Sequence, residues 1–276
     1  MNNEKCCVVS CENPLDQKYW DAQYKAKTIG WDLGEIAPPI KNYIDTLKNK
    51  NASILIPGCG NSYEAEYLLK KGFTNVTVID IAPTLVEKLK AKFENNNYIN
   101  IILGDFFDHQ GKYDVIIEQT FFCALPPTLR QKYVWKTHQL LNENGFLAGL
   151  LFNRTFEISP PFGGSKEEYL KLFKGAFDFV QIDIAQNSCA PRAHSELFIE
   201  FKKNNSVVVN LYGFEGITCT GCTETITQKL SALKNIFNAS ISSDFLELLL
   251  VSQNEIPVDE LQALISDDGK YKIKKL

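Results

Sequence analysis

The stretch Ile54-Leu-Ile-Pro-Gly-Cys-Gly-Asn-Ser62, followed by Val76-Thr-Val-Ile-Asp80, decides how this chain folds. A short apolar run of strand length ends in two closely spaced glycines, and a helical stretch follows, so the backbone turns sharply out of a buried strand. The second apolar run ends on an acidic residue about twenty positions after the glycines. Working outward, the same alternation of apolar runs and helical stretches continues. Strands are read at 54–56, 76–79, 99–103, 115–117, 146–152, 179–184 and 196–201, with helices at 63–71, 83–94 and 166–173. Asn61 and Ser62 suit helix caps, Gly72 a helix end and Pro83 a first turn. The reading is an α/β fold built on a doubly wound, seven-stranded Rossmann-like sheet.

The chain has 276 residues, 45% of them hydrophobic and 22% charged, and a formal net charge of -4. That balance predicts a packed core, and it lacks the basic footprint that nucleic-acid binding needs, so no nucleic acid is expected as partner. No apolar run has signal-peptide or membrane-spanning length, which predicts a cytoplasmic protein without membrane insertion. The eight cysteines follow no disulfide framework, which favours free thiols and metal ligands. The polar run Lys202-Lys-Asn-Asn-Ser206 reads as a linker. Residues 1–18 then form a tail without clear period, 19–203 a main domain, and 207–276 a separate unit. That unit reads as strand (207–212), helix (224–233), two strands (237–242 and 246–251), helix (258–265) and strand (271–273), the βαββαβ order of a ferredoxin-like domain.

Doubly wound sheets bind ligands at the carboxyl ends of their strands. Gly58 and Gly60 let a bound group approach the main chain there, and Asp80 is spaced to meet ribose hydroxyls. Nicotinamide dinucleotide, flavin dinucleotide and S-adenosylmethionine all suit such a site, but the third glycine that packs a helix beneath a pyrophosphate is missing. Leu103-Gly-Asp-Phe106 and Glu118-Gln-Thr-Phe-Phe-Cys123 follow the third and fourth strands at the same edge. Asp105 can accept from an adenine amino group and Phe106 can pack on the ring. The plainer alternatives stand beside these: glycines that serve only a tight turn, tryptophans that are core, and an Asp105 that caps its own turn. Cys59 and Cys123 read as small buried groups.

Trp20, Gly30-Trp-Asp-Leu-Gly34, Ile56-Pro-Gly-Cys-Gly60, Asp80, Gly104-Asp-Phe106, Phe121-Phe-Cys-Ala124, Pro160-Pro-Phe-Gly163 and Ala190-Pro-Arg-Ala193 carry a more specific signal. Through them residues 19–202 resemble the thiopurine methyltransferase family, with its plant and bacterial halide and thiol methyltransferase relatives. The resemblance implies methyl transfer from S-adenosylmethionine to a small soft nucleophile, whether a thiol, hydrosulfide, halide, selenium or tellurium species. It also implies that Trp20 and Trp31 fold over the cofactor and that Gly58, Cys59, Gly60, Asp80, Ile81, Asp105 and Phe106 line its pocket, with Gln119 beside the adenosine. Tyr24 stands where some relatives carry a third tryptophan. Arg154, Arg192 and His194 are substrate-side candidates, either for an anionic acceptor or, for the arginines, as structural ion pairs. The loop from Pro160 to Gly164 suits a lid. No catalytic base is assigned, because displacement at a sulfonium needs alignment and exclusion of water rather than a triad. His138, between charged residues on a helix, reads as exposed.

Gly216-Ile-Thr-Cys-Thr-Gly-Cys222 precedes a helix whose N-terminus favours thiolate, so the two sulfurs can converge. Residues 207–276 resemble heavy-metal-associated domains, the modules of copper chaperones and metal-pumping ATPases, with Ile217 where methionine is usual. The resemblance implies Cys219 and Cys222 as ligands for Cu(I) or another thiophilic ion, and a protein partner for metal transfer. A redox dithiol and a domain that has lost its metal are the rivals, and Cys6, Cys7 and Cys11 are possible supplements. The alternative for the whole chain is a metal chaperone or sensor whose front half binds the cofactor without turnover.

Overall fold

The computed structural model describes residues 14–265 and 271–276; Cys6, Cys7 and Cys11 lie outside them. Strands β1 (Ile54–Pro57), β2 (Val76–Asp80), β3 (Ile99–Leu103), β4 (Tyr113–Gln119), β5 (Leu141–Phe152), β6 (Phe177–Ile184) and β7 (Glu196–Lys203) form one sheet in the order β3-β2-β1-β4-β5-β7-β6. β7 runs antiparallel to β5 and β6, while the β3-to-β5 side is parallel. Every residue of β1 and β2 is buried, as expected of parallel strands covered on both faces. Ile54 and Ile56 join a core with helices α2 (Pro38–Thr46), α3 (Tyr63–Lys70) and α4 (Pro83–Lys92), whereas Leu55 joins a core with α5 (Arg130–Leu140) and α6 (Lys166–Phe173).

The sequence reading did not resolve α1 (Gln17–Ala26) or α2. Asp16 caps α1, accepting from the Tyr19 amide at 2.9 Å. Buried Asp21 then accepts from the Thr84 amide at 2.8 Å, fastening α1 to the N-terminus of α4.

The second unit comprises β8 (Val208–Glu215), α7 (Thr220–Ser231), β9 (Ile236–Ile241), β10 (Glu247–Ser252), α8 (Val258–Ile265) and β11 (Lys272–Lys275). Its four strands form an antiparallel sheet ordered β11-β8-β10-β9. The expectation of a structurally separate unit needs correction. Side chains alternate across a strand, so Tyr212, Phe214, Leu248 and Leu250 pack with α7 and α8, while Val209, Leu211, Leu249 and Val251 face the other way. That second set belongs to the same core as Tyr133, Val134 and Phe177. Polar contacts reinforce it: Gln131 donates to the Ser240 hydroxyl at 3.0 Å, and Asn238 donates to the Lys171 carbonyl at 3.0 Å. The physical reason is that β8 and β10 are apolar on both faces and need a cover on each.

The linker also moves. β7 continues through Lys202 and Lys203, and residues 204–207 make the connection. Asn204 is anchored there, donating to the Gly175 carbonyl at 3.0 Å, and its own carbonyl lies 3.2 Å from His138 Nε2. His138 is therefore buried rather than exposed, and burial pushes its imidazole pKa down to about 4. Among the described residues no helix is long and apolar enough to cross a membrane.

Candidate active site

A cavity of about 920 Å³ opens at the carboxyl edge of the parallel strands, where the β1–α3 turn and the segments after β2, β3 and β4 meet beneath α1. Gly58 makes the turn with φ +53, and a Cβ there would sit 2.3 Å from Phe121 Cδ2, so only glycine fits. Cys59 is buried, and burial raises its thiol pKa well above the ordinary range; it contributes as a small neutral group. Gly60, Asp80 and Ile81 also line the cavity. Asp80 is 8% exposed and accepts from the Ala82 amide at 3.0 Å. Burial pushes its carboxyl pKa up to about 6, against the lowering effect of the backbone amides around it.

Past β3, Asp105 is exposed and accepts from the Phe107 amide at 2.8 Å, so it caps its own turn while also lining the cavity. Phe106 is buried, edge-on to Phe121 with centroids 5.2 Å apart. At the end of β4, Gln119 reaches the cavity with its Oε1 buried and without a hydrogen-bond partner. A buried orphan acceptor is costly unless something fills the space beside it.

The roof consists of Trp20, Tyr24 and Trp31. Trp20 and Trp31 pack edge-to-face at 5.6 Å, Tyr24 and Trp31 at 5.9 Å. Burial raises the Tyr24 phenol pKa, keeping it a hydrogen-bond donor. Arg192, 161 positions along the chain from Trp31, donates to the Trp31 carbonyl at 2.7 Å and pairs with buried Glu196 at 3.3 Å. It therefore holds the roof to the sheet, and it also lines the cavity. Arg154 lines the cavity from an exposed position, its guanidinium 4.7 Å from the Phe156 ring centroid. Arg130, ion-paired with Glu168, donates to the Gly163 carbonyl at 2.6 Å and holds the proline-rich loop against the same wall. His194 is exposed and lies outside the lining, although its neighbour Ser195 belongs to it.

Three acidic residues were not singled out from the sequence. Asp21 fastens α1, as described above. Asp32, inside the Gly30–Gly34 run, accepts from the Tyr63 hydroxyl at 3.2 Å and from the Asn61 amide, tying the roof to the start of α3. Glu64 lines the cavity and is 5% exposed, and burial pushes its carboxyl up to about 7. Only Asp32 lay inside a noted motif; Asp21 reaches Thr84, 63 positions away, and Glu64 shows itself only through its burial.

In the C-terminal unit, Cys219 is exposed at the N-cap of α7 with its sulfur 2.7 Å from that of Cys222 in the first turn. Among the described residues no cluster of three or more His, Cys, Asp or Glu forms around a possible ion.

A sheet of this order with an antiparallel seventh strand, and a cavity at its carboxyl edge, defines the class of α/β methyltransferase folds. Solved structures agree on that fold. A Burkholderia thailandensis 1,6-didemethyltoxoflavin-N1-methyltransferase bound to S-adenosylhomocysteine has a TM-score of 0.57 at 16% identity, covering 68% of this chain and 87% of its own. A magnesium protoporphyrin IX methyltransferase from Synechocystis gives 0.53 at 14%, covering 68% and 98%. The model of the thiopurine S-methyltransferase (TPMT) family matches residues 15–205, so the chain belongs to that family and is an S-adenosylmethionine-dependent methyltransferase. Similar relatives include a probable thiol methyltransferase 2 of Arabidopsis thaliana, 31% identical over 68% of this chain and 85% of its own. A thiocyanate methyltransferase 1 of Brassica oleracea is 24% identical over 69% and 87%, and a thiopurine S-methyltransferase of Vibrio parahaemolyticus 26% over 58% and 82%. The family match stops at the connection before β8; residues 207–276 lie beyond it.

Proposed function

We propose that the chain methylates the sulfur of a small thiol-type nucleophile, with S-adenosylmethionine supplying a methyl group on an activated sulfonium. One observation carries this reading: the cavity at the carboxyl edge combines a buried carboxylate, Asp80, an orphan acceptor, Gln119, and a roof of three aromatics. Asp80 would accept from ribose hydroxyls, Gln119 and Asp105 would meet the adenine amino group, and Gly58 and Gly60 would let the donor lie against the backbone. Trp20, Tyr24 and Trp31 exclude water from the reacting centre. On the acceptor side, Phe152, Phe156 and the loop held by Arg130 give an apolar wall suited to a soft nucleophile, and Arg154 supplies a cation for an anionic one. Arg192 acts by positioning the roof, and His194 has no assigned role. The names of the relatives support a sulfur acceptor.

The C-terminal unit is read as a heavy-metal-associated-type domain over 207–276, ferredoxin-like in its βαββαβ order, that carries a thiophilic ion such as Cu(I) between Cys219 and Cys222 and passes it to a protein partner. The convergence of the two sulfurs at a helix N-terminus supports it, and two thiolates suit a low-coordinate soft ion better than zinc. The experiment is methyl transfer from a labelled donor by the full chain to a panel of thiols, thiocyanate, iodide and selenite. Preferred labelling of thiols is expected; donor binding without transfer to any sulfur acceptor refutes the reading.

A further inference from the structure

Six carboxylates line the cavity, and five are accounted for. Asp16 caps α1, Asp32 ties the roof to α3, Asp80 and Asp105 each accept from a backbone amide, and Glu35 is exposed to water. Glu64 differs. It sits in the first turn of α3, directly after the Gly58–Gly60 turn, and is 5% exposed. Among the described residues its carboxylate accepts only from its own backbone amide. The two cations close enough to influence it are engaged elsewhere: Lys92 pairs with Glu66 at 2.7 Å, and Arg192 with Glu196 and the Trp31 carbonyl.

A buried carboxyl that lacks a cation is costly in its charged form. Burial accordingly holds Glu64 partly protonated near neutral pH, with neighbouring Asp32 acting in the same direction. A cationic ligand group in the adjoining space would relieve that cost. The donor of this enzyme class carries one cationic group besides its sulfonium, the ammonium of its amino-acid end. Strand β1, which leads into the turn, is Ile54-Leu-Ile-Pro57 and offers no anion to receive it.

We propose that Glu64 is the residue that receives the donor's α-ammonium group, so that amino-acid recognition depends on α3 rather than on β1. This rests on the donor reading above. It makes Glu64 a binding residue whose removal is felt through one ligand group alone, whereas a merely structural role would weaken every ligand of the cavity together.

The test is calorimetric titration of the full-length protein with S-adenosylhomocysteine and with its analogue lacking the amino group. Wild type should bind the parent compound at least tenfold more tightly than the analogue. Glu64→Gln should weaken the parent compound by about tenfold to a hundredfold, the range of a charge-assisted hydrogen bond, and the analogue by less than twofold. Equal weakening of both ligands, or of neither, overturns the proposal. Should Glu64→Gln fail to fold, the wild-type comparison decides: an amino group contributing less than twofold overturns the proposal. If wild type binds neither compound, the donor reading fails instead.

Discussion

Replacing Leu249 by alanine tests whether the two sheets share one core. Leu249 is fully buried in β10 and belongs to the cluster that contains Tyr133 and Phe177 of the methyltransferase body. Leu-to-Ala changes at such sites cost about 2 to 5 kcal/mol, the lost transfer energy plus the cavity left behind. Taking roughly 3 kcal/mol, and roughly 2 to 4 °C per kcal/mol for a body of this size, the melting temperature should fall by about 6 to 12 °C. All three tryptophans, at 20, 31 and 135, lie in the methyltransferase part. Their fluorescence therefore reports a transition that a substitution in an independent C-terminal domain would leave alone. The expected result is one cooperative transition, shifted equally by tryptophan fluorescence and far-ultraviolet circular dichroism. A tryptophan transition at the wild-type temperature, with an early dichroic phase beside it, would refute a shared core.

Gly58→Ala meets both a positive φ and Phe121 at 2.3 Å, so it should cost about 1 to 3 kcal/mol of stability and at least about tenfold in donor affinity by calorimetry. Arg192→Lys cannot hold the Trp31 carbonyl and Glu196 together as the planar fork does; a rise of about tenfold in donor KM is expected, with quenching of tryptophan fluorescence by donor reduced in step. His138 gives a pH signature. Its folded pKa of about 4 lies below the ordinary 6.5, so the unfolded state binds the extra proton and stability is lost as pH falls from about 6.5 toward 4. The slope approaches about 1.4 kcal/mol per pH unit and totals about 3 kcal/mol. His138→Gln should remove that component, read as the difference between the two proteins' urea midpoints across the window, because buried Glu64 and Glu118 respond in the opposite sense.

The parallel strands were legible because strands buried on both faces must be short apolar runs, as β1 and β2 are, and β3, though partly exposed at the sheet edge, is still a short apolar run. The floor of the cavity was legible for a related reason: Gly58, Asp80 and Asp105 occupy strand ends, and strand ends follow from strand positions. The roof was harder. Helix α1 is largely polar and half-exposed, and its fastening to Thr84, like that of Trp31 to Arg192, joins residues 63 and 161 positions apart that no local pattern links. Helix α5 misled most, because it is buried on nearly all sides, charged residues included, between two sheets. A polar sequence read by itself suggests a water-facing helix, and so His138 was misjudged. Glu64 was hidden likewise, since a glutamate in a first helical turn ordinarily complements the helix dipole.

Helix α5 presents adjacent residues to opposite tasks: Arg130 grips the Gly163 carbonyl in the loop whose Pro160 and Pro161 line the cavity, and Gln131 grips Ser240 in the second sheet. A homologue that ended near residue 205 would turn that flank toward solvent. There the counterpart of Gln131 would face water, having neither the Ser240 hydroxyl nor the Ile241 carbonyl to donate to. The second sheet is thus held by the same helix that steadies the proline-rich loop, so a change in β9 at Ser240 should be felt at Arg130 one residue along.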